Sequence, residues 1–352
     1  MYRLFVRIRQ AFLIFVISFG LSEATLRIYD WFQPLPIFYS REYDRFRGKP
    51  FAPDFDFRLN SKGFKDVEFD EKKATGIFRI LGIGDSFAFG AVPYAANYLT
   101  ILETTLRQNG KSVEVINMGI QGIGPNEYLA LLMREGLGLE PDMVLLSFFI
   151  GNDFKDTRQE RRSVLTYSYV LSLLKYVIDL NRKIEGTVVH GAGTYDDNSP
   201  AFSDAAYLSL EGDRSYIYVK GNRDFERDFD ETLSTLQRIK VICNRNGIKL
   251  SVVIIPDELQ VNIDLKERVL REFKIAPGSL DIELPNKRLV DTLQRQGMNY
   301  LDLLPEFVAA SSRERLYRPN DTHWNIRGNA LAAELITRHL LPYAEAVAPL
   351  QR

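Results

Sequence analysis

The chain has 352 residues, with 45 basic against 46 acidic side chains and a formal net charge of −1, so it carries no field suited to a phosphate backbone and argues against a nucleic-acid partner. Its single cysteine, Cys243, cannot form an intrachain disulfide and falls in a helical pattern, as expected of a buried thiol. The length suits one large domain carrying an insertion, without need of a second complete domain.

The amino terminus bears on compartment. Arg3, Arg7 and Arg9 precede the apolar run Ala11 to Leu21, and polarity resumes at Glu23 and Arg27. A helix over that run spans about 17 Å, short of a hydrocarbon core near 30 Å. Counted back to Leu4 it lengthens to about 18 residues, with Arg7 and Arg9 reaching toward headgroups. Three readings stand: an uncleaved signal anchor, a cleaved signal with Gly20 and Ser22 as small residues before the cut, and a docked amphipathic helix. The first two place the remaining chain outside the cytoplasm, because basic residues stay inside. The boundaries that follow are 1–24 for this segment, 25–72 for an aromatic and charged linker, and 73–345 for the main domain.

From Phe78 the pattern alternates. Phe78 to Ile83 is an apolar strand with charge only at Arg79, Asn97 to Gln108 has helical spacing at Leu99, Leu102 and Leu106, and Val113 to Met118 is a second strand. A helix begins near Pro125, a good first-turn residue. Met143 to Ile150 is apolar on both faces, as in a parallel sheet covered by helices. The alternation breaks over 155–224, an insertion in which Val164 to Leu180 is helical with Leu171, Leu174 and Ile178 on one face. Arg158, Arg161, Arg162, Arg182 and Lys183 flank it. It is read either as an insertion packed on the core or as a lid or membrane-contacting helix. After Phe225 come a long helix to Asn246, a strand at Lys249 to Ile255, a helix near Asn286 to Gln296, a strand at Asn299 to Leu303 and a last helix from Arg327 to Leu340. The fold class is therefore α/β: a three-layer α/β/α sandwich around a parallel sheet of about five strands.

Ser86 stands where the first strand ends in Gly84-Asp85-Ser86, a hydroxyl on a sharp turn at the carboxyl end of a strand, where open α/β sheets keep their chemistry. A serine nucleophile needs a base and a receptor for the developing oxyanion. Of three histidines, His190 lies in a glycine-rich part of the insertion and His339 ends the last helix, whereas His323 falls in a turn between the last strand and last helix, beside Asp321. His323 is the expected base. Gly82 and Gly84 begin a dinucleotide-type loop, but Phe87 occupies its third glycine position. There is no Gly-x-x-x-x-Gly-Lys-Ser/Thr phosphate loop and no His-Glu-x-x-His pair, so no cofactor and no metal are expected.

Gly84-Asp85-Ser86, Asn117 to Gly122, Gly151-Asn152-Asp153 and Asp321-Thr322-His323-Trp324, in that order, resemble the motifs of the SGNH, or GDSL-type, hydrolases, over residues from about 60 to 340. The resemblance implies the flavodoxin-like fold of that family, Ser86 as nucleophile, His323 as base, Asp321 as its orienter, and an oxyanion hole from the Ser86 amide, the Gly119 amide and the Asn152 side chain. Here Gly151 and Asn152 are adjacent where the family often has a spacer. Asp321 stands two residues before His323 where many members have three, and Asn320 occupies the usual place. Asp-Thr-His-Trp is also similar to the periplasmic alginate acetyltransferases. The expectation is a serine esterase of an acyl ester of a carbohydrate or lipid, tethered to a bacterial cytoplasmic membrane with its domain on the periplasmic side. The alternatives are an O-acyltransferase for a cell-surface polysaccharide and a non-catalytic glycan-binding or assembly protein.

Overall fold

Five runs of apolar and β-branched residues assemble as the central sheet of the computed structural model, which describes residues 2–32, 36–38, 42–157, 168–179, 194–276 and 278–344. In chain order, helix α1 (Tyr2–Phe32) leads to a two-stranded antiparallel hairpin of β1 (Pro53–Asp54) and β2 (Phe57–Arg58). There follow β3 (Phe78–Ile83), α2 (Ser86–Phe89), α3 (Tyr98–Gln108), β4 (Val113–Asn117), α4 (Pro125–Arg134), β5 (Met143–Phe149), α5 (Asp153–Asp156) and α6 (Tyr169–Asp179). Then come α7 (Asp204–Arg214), α8 (Arg223–Arg245), β6 (Lys249–Ile255), α9 (Glu258–Val261), α10 (Ile263–Glu272), α11 (Leu284–Arg295), β7 (Asn299–Asp302), α12 (Leu304–Ser311) and α13 (Ile326–Leu340).

The sheet order is β4-β3-β5-β6-β7, parallel throughout, with Gly82 opposite Asn117 and Ile83 opposite Leu146. Order reverses between β3 and β5, which opens a crevice at their carboxyl ends. Every residue of β3 and β5 is buried, which is why both read as unbroken apolar runs. Phe78, Ile80, Met143, Leu145, Val253 and Ile255 share one core with α3 and α13. The alternate residues face the other way, toward the layer where α4 and α8 pack together. Arg79, the one charge in β3, is buried because its guanidinium donates to the carbonyls of Asp70 (2.9 Å), Glu71 (2.8 Å) and Leu139 (2.6 Å) and pairs with Glu114 (2.6 Å).

The chain divides into two compact units: Met1–Arg41 with Glu160–Glu185, and Glu42–Gln159 with Gly186–Arg352. This division changes two readings of the sequence. The expected linker is packed into the second unit from Glu42 onward, burying Tyr43, Leu59, Phe64, Lys65 and Asp66. Asn60 organises its turn by accepting from the amides of Lys62 and Phe64, both at 3.0 Å. The first helix also runs past Leu21 to Phe32, and within the 28 residues Phe5–Phe32 an 18-residue window has mean hydropathy 1.7. By length and composition it could cross a membrane.

The insertion likewise splits. Its helix α6 belongs with α1 in the first unit, while α7 belongs to the second, where Tyr207 and Glu211 are buried. Residues 164–167 and 180 of the expected helix lie outside the described residues, as does His190.

Candidate active site

The hydroxyl expected to act as nucleophile is presented by α2, whose first residue is Ser86. Asp85 caps this helix by accepting from the amide of Phe87 at 2.9 Å, and its burial raises its pKa, offset in part by that amide, His323 and the Asn152 side chain. Gly84 has no room for a side chain: a Cβ there would stand 2.9 Å from Ser147 Cβ and 3.0 Å from Ala88 Cβ. The tight strand-to-helix turn therefore needs glycine at that point.

His323 reaches Ser86 from the far end of the chain. Tyr317 and Trp324 form an antiparallel bridge, with the amide of Arg318 donating to the His323 carbonyl at 3.0 Å and that of Asn325 to the Leu316 carbonyl at 2.9 Å. Asn320, at φ 44°, turns the tip. Trp324 is fully buried beneath it, edge-on to Phe87 and Tyr98 with centroids 5.0 and 5.8 Å away. Asn325 then starts α13 by accepting from the amide of Gly328 at 2.8 Å. Gly328 is required because a Cβ would come within 2.3 Å of the Leu316 carbonyl oxygen.

The resulting geometry is continuous. His323 Nε2 lies 2.8 Å from Ser86 Oγ, and His323 Nδ1 lies 2.6 Å from Asp321 Oδ1. Asp321 Oδ1 also accepts from the His323 amide at 3.1 Å, and Arg318 Nη1 donates to Asp321 Oδ2 at 2.9 Å. Burial alone would raise the Asp321 pKa, but His323 and Arg318 outweigh it and hold the carboxyl below its ordinary value. This lowered value stabilises the fold at neutral pH, an effect lost as pH falls through it. Asp321, two residues before the histidine, is thus in contact with the imidazole; Asn320 serves the turn.

The two other expected donors differ. Gly119 packs on α2 so closely that a Cβ would meet Phe89 N at 2.2 Å, and its own N–H donates to Asn117 Oδ1 at 2.8 Å. Its amide is therefore engaged by Asn117, which also donates to the Ala88 carbonyl at 2.9 Å. Asn152 is the N-cap residue of α5 but makes no side-chain cap bond, so it forms no Asx-turn, and its Oδ1 is buried without a partner. Its neighbour Asp153 is structural, accepting from Tyr128 Oη (2.8 Å) and the Phe149 amide (2.9 Å), with a pKa driven well up by burial.

Away from this cluster, His339 Nε2 faces Asn299 Oδ1 at 2.6 Å and Ser251 Oγ at 3.2 Å, and burial lowers its pKa. Cys243 is buried in α8, and its thiol is pushed up to about 12. Among the described residues no group of three or more His, Cys, Asp or Glu side chains is placed to hold a metal ion.

Several supporting residues carry no motif. Lys65, fully buried, pairs with Asp54 and donates to the carbonyls of Gly90 (2.9 Å) and Val92, tying down the exit of α2. Asp66 Oδ2 accepts from the Asn117 amide at 2.7 Å. Tyr207 Oη donates to Glu258 and lies 3.4 Å from the Asp321 carbonyl. Arg318, Lys65, Asp66 and Tyr207 escaped sequence reasoning; the only signal was a charged pair, Lys65-Asp66, in a turn-rich stretch.

A model of the SGNH hydrolase-like domain of acetyltransferase AlgX matches residues 217–351, which include Asp321 and His323 but not Ser86. No curated protein matches the chain. Solved structures similar to it include an acetyl xylan esterase, AlAXEase (16% identity, 74% of this chain and 98% of that one, TM-score 0.42). A putative acylhydrolase from Bacteroides fragilis NCTC 9343 is 13% identical over 76% of this chain and 88% of its own, TM-score 0.39. A catalytic mutant of Axe2, an acetylxylan esterase from Geobacillus stearothermophilus, is 13% identical over 75% and 94%, TM-score 0.42. The matched domain, the β4-β3-β5-β6-β7 strand order and the four motifs taken together support an SGNH-type hydrolase family for this chain.

Proposed function

We propose that the protein is a serine-dependent enzyme of acyl esters, working through an acyl-enzyme on Ser86. The observation that carries this reading is the hydrogen-bonded line Ser86 Oγ, His323, Asp321, with contacts of 2.8 and 2.6 Å. Ser86 Oγ attacks the ester carbonyl as His323 Nε2 takes its proton, and Asp321 holds the imidazole in the tautomer that exposes Nε2. The carbonyl oxygen becomes an oxyanion facing the Ser86 amide and the Asn152 side chain, with Gly119 joining once its amide is shared with or released by Asn117. Collapse expels the alkoxide, which takes the proton from His323. Water or a second hydroxyl then attacks the acyl-Ser86 ester, with His323 again as base, and frees Ser86.

Asn152→Ala is expected to lower kcat by about 10² to 10³ with little change in KM, the usual cost of one oxyanion donor. A variant with unaltered kcat would remove Asn152 from this role.

Hydrolysis of an acetyl or other short acyl ester is the leading activity. A second reading, transfer of the acyl group to a polysaccharide hydroxyl, is favoured by the match of residues 217–351 to the acetyltransferase AlgX domain. The protein is to be incubated with an acyl donor in the presence and absence of glycan: acylated sugar identifies transfer, free acid alone identifies hydrolysis. We place the enzyme at the bacterial cytoplasmic membrane, with α1 as signal anchor and the sheet domain outside, from the length and hydropathy of the helix and from Arg3, Arg7 and Arg9 ahead of its apolar run Ala11 to Leu21.

A further inference from the structure

Helix α6 is fastened to α1 by a compact set of polar contacts. Glu23 of α1 accepts from the Tyr169 amide at 3.0 Å, the Val170 amide at 3.1 Å and Ser168 Oγ at 2.8 Å, so a side chain about 145 residues away acts as the cap of α6. Tyr169 Oη donates to Asp30 at 2.9 Å. Its ring stacks on Phe38 at 4.1 Å and lies under Arg27 at 4.8 Å. The two helices are thus joined over Glu23 to Asp30, just beyond Leu21, the last residue of the apolar run.

Much of what this leaves outward is apolar, although Lys175 is exposed as well. Leu174, Val177 and Ile178, at helical spacings of three and four, are 53%, 53% and 57% exposed. On α1, Ile28, Tyr29, Trp31 and Phe32 are also exposed, beyond the point where Glu23 holds α6. Trp and Tyr at such a level suit a membrane–water boundary. An apolar face on a helix tethered beside the end of a membrane-inserted stretch is continuous with the lipid-facing surface of that stretch.

We infer that α6 is a second membrane-contacting element, lying at the boundary between headgroups and acyl chains of a phospholipid bilayer with Leu174, Val177 and Ile178 turned into it. The inference rests on the reading of α1 as membrane-inserted. Of the two roles open to the insertion helix, the contacts of Glu23 and Tyr169 favour the membrane and tie α6 to the anchor.

The test uses the full chain with one added cysteine at a time, labelled with bimane and reconstituted into phosphatidylcholine vesicles carrying a nitroxide high on the acyl chain; buried Cys243 supplies the background control. Phe15→Cys reports α1, Val177→Cys and Ile178→Cys report α6, and Arg227→Cys, half-exposed on α8, reports a charged surface of the second unit. The expected result is quenching at 15, 177 and 178 severalfold above that at 227, with quenching at 177 lost and that at 15 kept when Glu23→Ala is added. Quenching at 15 with none at 177 and 178 would overturn the inference while leaving the anchor standing. No quenching at any position would overturn both.

Discussion

Ser86→Ala is expected to lower ester cleavage by at least about 10⁴-fold while leaving the thermal transition near that of the parent, because it deletes the atom that forms the covalent intermediate and little else. Ser86 is half-buried at the start of a four-residue helix capped by Asp85, so loss of one hydroxyl leaves the turn its main hydrogen bonds. His323→Ala should cost about 10² to 10⁴, since only the general base is removed. In that variant Asp321 keeps its bond from Arg318 but loses the imidazole. The measurements are the initial rate on a short-chain aryl ester and labelling by a serine-directed fluorophosphonate. Unchanged turnover by folded Ser86→Ala protein, or labelling that survives it, would defeat the acyl-enzyme on Ser86, whereas a parent protein that neither turns over ester nor takes the label would return the chain to a binding or assembly role.

Lys65→Met is the variant with the largest expected effect on stability. Lys65 and Asp54 are both buried, and deleting one partner strands the other's charge, at a cost of about 3 to 5 kcal/mol. Set against a total of about 5 to 15 kcal/mol for a domain, such a loss would bring the fold close to its unfolding threshold at moderate denaturant. The carbonyls of Gly90 and Val92 also lose their donor, so the loop after the nucleophile helix should loosen and kcat should fall with it. The double variant Lys65→Met with Asp54→Leu should recover much of the stability, because replacing both members of a buried pair by apolar groups is often near neutral. Urea titration of the three proteins settles it. A single variant that loses less than about 1 kcal/mol would show that the pair is solvated in solution.

Much of the frame was legible because the signals that encode it act over a few residues. Phe78–Ile83 and Lys249–Ile255 form strands with the bounds their apolar runs suggest, since a sheet covered on both faces selects for unbroken hydrophobicity. The positions of Ser86 and His323 stood out in the same way, each in a turn after or beyond a strand. By contrast the stretch 42–72 read as a linker because its short turns have no period; its burial comes from single contacts such as Arg47 Nη1 to Glu135 Oε2, 2.9 Å and 88 residues apart. The engagement of the Gly119 amide by Asn117 is a matter of loop conformation, which composition does not specify.

The amino-acid order by itself determined the layered α/β class, the strand positions and the placing of a hydroxyl-bearing turn at the carboxyl end of a strand, because periodicity and chain direction constrain all of these, whereas the meeting of that hydroxyl with His323 is a tertiary contact. Only the tertiary structure decided that Arg318 braces Asp321, that Lys65 secures the exit of the nucleophile helix, and that Glu23 caps a helix of the insertion. Those outcomes depend on which distant polar groups are desolvated together, and a buried donor or acceptor takes whatever partner the packing brings within about 3 Å.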